Sequence, residues 1–126
     1  MDIENLGKEI VDISYKIHVA LGPGLLESVY EACFCYELTK RNISFIKQKR
    51  VPIVYDGVVF YEGLRLDILV DDQIIIELKA QDNFHPIWEA QLLSYLKLSD
   101  KKLGYLINFN VTLIKNGIKR MINNPL

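Results

Sequence analysis

Between positions 64 and 79 the chain reads Leu-Arg-Leu-Asp-Ile-Leu-Val, then Asp71-Asp72-Gln73, then Ile-Ile-Ile-Glu-Leu-Lys. Two apolar runs split by so short an acidic turn form an antiparallel hairpin, because a parallel pair needs a crossover of a dozen residues or more. A turn centred on Asp72 sets Val70 opposite Ile74 and, by the same count, Asp67 opposite Glu77. Strand side chains alternate, so Lys79 falls on the side of Glu77. Leu66, Ile68, Ile74, Ile76 and Leu78 are expected together on the opposite side, under a helix.

Two carboxylates at cross-strand distance repel unless positive charge lies between them, and Lys79 offsets only one. A hard divalent cation is the usual remedy. Mg²⁺ takes one or two protein carboxylates and completes its shell with water and phosphate oxygens. A lysine beside it can help deprotonate or orient a water and can stabilise charge on a phosphoryl group. The competing reading is an exposed hairpin whose Asp, Glu and Lys form surface pairs worth little.

The rest of the pattern places this hairpin in a larger sheet. Ile3, Leu6, Ile10, Ile13, Ile17, Ala20 and Leu21 recur at helical spacing, and Gly22-Pro23-Gly24 ends that helix. A second helix is expected over residues 25–41, burying Leu26, Val29, Tyr30, Cys33 and Leu38. Residues 43–55 read as an extended segment interrupted near Pro52, and Asp56-Gly57 turns it into a strand over 58–61. Strands at 64–70 and 74–79 follow. A third helix over 84–98 is expected to face Ile87, Ala90, Leu93 and Leu96 or Leu98 inward, with Pro86 in its first turn. Strands are expected over 102–109, 111–114 and 118–122, with a turn at Asn116-Gly117. Alternating helices and strands of this kind predict one α/β domain over residues 1–126, a mixed sheet flanked by helices.

Charge and cysteine usage narrow the classes. Fifteen basic and sixteen acidic side chains give a net charge of −1, which alone argues against an overall positive field. The charges are segregated, however: residues 38–50 hold Lys40, Arg41, Lys47, Lys49 and Arg50 and no acid. A second basic block holds Lys97, Lys101, Lys102, Lys115, Lys119 and Arg120. Cys33 and Cys35 do not have the spacing of a zinc or redox pair. Neither a signal peptide nor an apolar run of membrane-spanning length is visible, so a cytoplasmic protein is expected.

Two helix faces carry further polar groups. Glu27 and Tyr30 share one face of the second helix, and Gln91 and Tyr95 share one face of the third. The structural alternative makes these four a buried hydrogen-bond network between helices and sheet.

The segment Gly24-Leu25-Leu26-Glu27-Ser28-Val29-Tyr30 resembles the signature of the GxxExxY proteins, a family placed in the PD-(D/E)XK nuclease-like superfamily. The resemblance continues through Tyr55-Asp56-Gly57, Arg65-Leu66-Asp67, Glu77-Leu78-Lys79-Ala80, Glu89-Ala90-Gln91-Leu92-Leu93-Ser94-Tyr95-Leu96 and Leu106-Ile107-Asn108-Phe109 to Asn116-Gly117-Ile118-Lys119-Arg120. It covers about residues 18–121. It implies the PD-(D/E)XK, restriction endonuclease-like core with an added N-terminal helix. It further implies Asp67 and Glu77 as metal-binding acids, Lys79 as the catalytic lysine, and Glu27 as the extra helix acid of RecB-like nucleases. Gln91 and Tyr95 are similar to the QxxxY motif of that branch. Leu66 stands where the superfamily's proline precedes the first Asp, and Trp88 stands where the family often has a histidine.

The expected function is that of a nuclease using Mg²⁺, with Mn²⁺ as a substitute, to hydrolyse DNA or RNA. Tyr30, Lys47, Lys49, Arg50, Arg65, Lys119 and Arg120 are the expected nucleic-acid contacts. The alternative is a non-catalytic nucleic-acid-binding or protein-interaction module that keeps the fold. A core this small has little surface to enclose a substrate, which points to a homodimer or a partner protein.

Overall fold

The computed structural model describes residues 1–123. Its elements are α1 (Ile3–Leu21), α2 (Glu27–Lys40), β1 (Phe45–Tyr55), β2 (Val58–Val70), β3 (Ile74–Lys79), α3 (Pro86–Leu98), β4 (Leu103–Asn108), a 3-10 turn at Ile114–Asn116 and β5 (Ile118–Ile122). The five strands lie in the order β1-β2-β3-β4-β5. Every neighbouring pair is antiparallel except β3 with β4, which α3 joins as a crossover. This is the mixed sheet flanked by helices, with an extra N-terminal helix, that the sequence predicts. Among the described residues no helix is long and apolar enough to cross a membrane.

Helices cover both faces. On one, Leu6, Ile10, Ile13 and Ile17 of α1 and Tyr30, Phe34 and Leu38 of α2 pack on Ile68, Val70, Ile74, Ile76 and Leu78. On the other, Trp88, Leu92 and Leu96 of α3 pack on Leu64, Leu66, Leu69, Ile75 and Leu106. Asp2 caps α1 by accepting the Asn5 amide at 2.8 Å. The buried Glu37 of α2 ties the two helices through Lys16 of α1 at 3.1 Å, and pairs with Lys40 of its own helix at 3.1 Å.

Both remaining helices are rotated from the faces expected, with Tyr30 and Leu38 of α2 and Leu96 of α3 buried as expected and the rest of each face changed. In α2, Leu26 and Val29 are exposed, and the buried stripe is Tyr30, Phe34 and Leu38. Tyr30 sets that phase: its ring stacks on Phe109 with centroids 4.4 Å apart, and its hydroxyl donates to the Gly22 carbonyl at 2.7 Å. The same hydroxyl accepts the Leu25 amide at 3.2 Å, so the Gly22-Pro23-Gly24 loop wraps over it. Tyr30 is therefore fully buried and does not reach a ligand as a nucleic-acid contact. In α3, Ile87, Ala90 and Leu98 are exposed, because burying Trp88 at the first turn selects Leu92 and Leu96 beside it.

Three strand expectations also change. Residues 58–70 form one strand, bent where pairing shifts register between Val51 and Ile53. Pro52 has no amide to donate there, and any side chain on Gly63 would strike the Val51 carbonyl. Residues 111–114 are not a strand. β5 folds back onto the free edge of β4, with the Asn108 amide donating to the Gly117 carbonyl at 2.8 Å, and takes the place beside β4 that 111–114 would have filled. Finally, Leu66 lies on the α3 side, away from Ile68, Ile74, Ile76 and Leu78, because the alternation of β2 slips by one residue at Asp67.

Replacing Tyr30 by Phe keeps the stack on Phe109 but removes the hydroxyl that holds the Gly22–Leu25 loop. Denaturant unfolding of Tyr30→Phe is expected to show a loss of about 1 kcal/mol, with nucleic-acid affinity unchanged.

Candidate active site

The slip at Asp67 builds the site. β2 and β3 pair as Val70–Ile74, Leu69–Ile75 and Ile68–Ile76, the register expected from the turn, and the ladder ends there. One step further, side chains take over from the backbone. Glu77 Oε2 accepts the Asp67 amide at 2.9 Å, and Asp67 Oδ2 accepts the Leu78 amide at 2.9 Å. The carboxylates thus converge as reciprocal caps on each other's strands, where simple alternation pictured an ordinary cross-strand pair. The β1–β2 pairing skips the same point, leaving out Asp67 and Gln48, whose φ is +53°.

Burial gives these acids unusual proton affinities. Glu77 is only 5% exposed. Burial, then the charge of Asp67, pushes its carboxyl up to about 8, against the pull of the Asp67 amide and Lys79. Asp67 is raised as well, by burial first and by Glu31, with the Leu78 amide and Lys79 opposing. Glu27 at the start of α2 is exposed, yet partial desolvation and the charge of Asp67 raise it too. Asp67, Glu77 and Glu27 therefore share one electrostatic field.

Glu31 belongs to that field and was not among the expected site residues. It raises both Asp67 and Glu27, and its Oε2 accepts from Gln48 Nε2 at 2.7 Å. Its position four residues after Glu27, one helical turn along the same face, is the sequence signal for it.

From β3 and α3 come the remaining members. Lys79 Nζ lies over the Trp88 ring, 5.5 Å from its centroid, and makes no ion pair among the described residues. Tyr95 is half-buried, and burial followed by the charges of Glu77 and Asp67 raises its hydroxyl, so it stays protonated at neutral pH. Gln91 is exposed. With Glu27 and Gln91 at the surface and Tyr30 bound only to the Gly22 loop, the four do not form a buried network.

The basic residues fall into two groups. Lys47, Lys49, Arg50 and Arg65 make no ion pairs among the described residues, and Arg50 stands directly opposite Arg65 across β1 and β2. Lys119 is paired with Glu89 at 3.0 Å and Arg120 with Glu4 at 3.4 Å. A cleft of about 620 Å³ opens between the start of α2 and the loop after β3, lined by Gly24, Leu26, Val29, Ala80, Asp82 and Asn110 among others.

No group of three His, Cys, Asp or Glu side chains among the described residues is closed around a common point. No curated protein and no solved structure gives a significant match to the chain. A family model described as the PD-(D/E)XK nuclease superfamily, however, matches residues 4–121. That span takes in every strand from β1 through β4 and both sequence segments that supply the convergent acids. The chain belongs to the PD-(D/E)XK nuclease superfamily.

Proposed function

We propose that the protein is a divalent-metal-dependent nuclease that hydrolyses phosphodiester bonds of DNA or RNA at Asp67, Glu77 and Lys79. The observation that carries this reading is the pair of desolvated, mutually repelling carboxylates beside an unpaired lysine. The finer assignment to the GxxExxY proteins, with Gln91 and Tyr95 as a QxxxY pair, is part of the same proposal. The ordered motifs from Gly24 to Arg120 support it.

The residues fit a hard cation such as Mg²⁺, with Mn²⁺ as substitute. The donor set is all oxygen. Each acid spends one oxygen on a backbone amide, leaving Asp67 Oδ1 and Glu77 Oε1 without a hydrogen bond among the described residues. Glu27 would complete the set from α2. When bound, the ion supplies a Lewis acid that acidifies a water and offsets charge on the phosphate. The chain's own contribution is positional. The amides of Asp67 and Leu78 fix the two carboxylates, and Trp88 holds the Lys79 ammonium where it can donate to the attacking water or a phosphate oxygen. Tyr95 borders the acids from α3, and Gln91 stands one turn before it on that helix.

Arg50 and Arg65 support the choice of a polyanionic substrate. Like charges directly opposite in a sheet are destabilising, and although Arg65 feels the charge of Asp67, no ion pair among the described residues neutralises the two. A phosphate between them would. Lys47 and Lys49 extend that surface along β1, whereas Lys119 and Arg120 must first leave their acidic partners. A binding-only module is the second reading, favoured by one observation: the backbone bonds of Asp67 and Glu77 give both acids a structural use.

Labelled single- and double-stranded DNA and RNA, incubated with Mg²⁺ or Mn²⁺, are expected to be cleaved by the wild type. Asp67→Ala and Lys79→Ala should slow cleavage by about a hundredfold or more. Equal cleavage by all three would overturn the site, and wild-type binding without cleavage would establish the module. Arg50→Ala and Arg65→Ala should each weaken binding by anisotropy and reduce its salt dependence by about one counterion.

The raised Glu77 also makes a stability prediction for protein kept in chelator. A carboxyl that binds its proton more tightly when folded stabilises the fold fully below its ordinary value of 4.5, and that contribution is lost as pH climbs towards about 8. Thermal unfolding should therefore show the wild-type Tm falling across this window. Glu77→Gln, which can still accept the Asp67 amide, should flatten that fall and melt higher than the wild type at pH 8.

A further inference from the structure

We propose that the cleft between the start of α2 and the loop after β3 receives an unpaired nucleobase, so that the substrate is single-stranded at the nucleotide next to the cleaved phosphate. This rests on the nuclease reading, whose site holds that phosphate. The cleft measures about 620 Å³, within the roughly 300–1,000 Å³ of small-ligand sites. Each of its two walls runs directly into the site. Leu26 precedes Glu27 on one side, and Ala80 follows Lys79 on the other.

The lining fits a base and not a phosphate. No lysine or arginine borders the cleft among the described residues. Leu26, Val29 and Ala80 give it apolar walls, and Asp82 and Asn110 give it polar groups. Asn110 Nδ2 donates to Asp82 Oδ1 at 2.6 Å, which leaves Asp82 Oδ2 and Asn110 Oδ1 without hydrogen bonds among the described residues. An apolar slot that ends in acceptors suits a ring with apolar faces and an N–H edge, such as the amino group of cytosine or adenine.

The slot is built before any ligand arrives. Asn108 is fully buried, its Nδ2 donates to the Gln81 carbonyl at 2.9 Å, and its Oδ1 accepts the Gln81 and Asn110 amides, each at 3.2 Å. One side chain thus ties the loop carrying Asp82 to the loop carrying Asn110. On the opposite wall, Leu26 occupies the N-cap of α2, makes no capping hydrogen bond and is 74% exposed. A serine or asparagine there would cap the helix. Leucine gives up that bond and gains no burial in the core, whereas a base laid against it would cover it.

Sheet order gives the nucleotide chain its path. Arg50 and Arg65 stand on β1 and β2, Asp67 and Glu77 on β2 and β3, and the cleft opens beyond the ends of β3 and β4. A strand laid across them meets cations, then the acids, then a slot without cations. A base stacked in a duplex enters such a slot only after it is extruded.

Fluorescence anisotropy with the Lys79→Ala protein in Mg²⁺ reads binding while cleavage is slow. Labelled single-stranded DNA is expected to bind about tenfold tighter than the duplex of the same sequence. Adding Leu26→Ser, which restores an N-cap, should leave Tm unchanged or higher and yet weaken single-strand binding about fivefold, with duplex binding unmoved. A purely structural Leu26 would not move stability and affinity in opposite directions. Asp82→Ala should shrink the preference for oligo-dC over oligo-dT, and an unchanged ratio overturns the part given to Asp82. Equal affinity for single strand and duplex overturns the proposal, as does single-strand binding indifferent to Leu26→Ser. Failure of the nuclease reading shows separately, as wild-type protein that binds single strands through Leu26 and cleaves none.

Discussion

A carboxylate almost wholly removed from water beside a second carboxylate is costly, and the arrangement of this fold around Glu77 can be read as what keeps that cost bearable. The Asp67 amide bonds it directly, the Leu78 amide bonds its neighbour, and Lys79 brings positive charge within range. None of these offsets the burial and the charge of Asp67 together, which push Glu77 up to about 8. The site is left short of positive charge by its own construction, which is the condition under which a cation binds. β2 and β3 supply the acids, α2 adds Glu27 and Glu31 to the field, and α3 closes the other side with Trp88 and Tyr95.

The parts legible in the sequence are those set by local chemistry. The acidic turn and the apolar runs beside it were enough to give the β2–β3 register, and Gly22-Pro23-Gly24 marked the end of α1. Helix phase was not legible in α2 or α3, because it is chosen by distant partners: Phe109 for Tyr30, and the sheet face around Leu106 for Trp88. Residues 111–114 had strand-like composition, but β5 occupies the edge they would have needed. Counting charges could not separate Lys119 and Arg120, tied to Glu89 and Glu4, from Arg50 and Arg65, which have no such partners. Glu31 went unread although it follows Glu27 by one helical turn, because that spacing alone does not separate a site acid from a solvated one; Gln48, at positive φ, meets it only in the fold.

The site and the outer β1–β2 hairpin are two ends of one pair of strands. Where β2 leaves β3, the ladder gives way first to carboxylates, then to the opposed arginines, then to a largely apolar stretch. Charge changes from acidic to basic to nearly absent along roughly half the strand.

The reciprocal bonds to the Asp67 and Leu78 amides also bear on how such a site would decay. Were the chemistry abandoned, Asp67 and Glu77 would still be useful, since losing either leaves a strand end unpaired. The Lys79 ammonium makes no hydrogen bond or ion pair among the described residues and holds only the face of an indole. In chains built on this plan, the lysine is the sensitive marker of a working centre, and the acids are the last to report its loss.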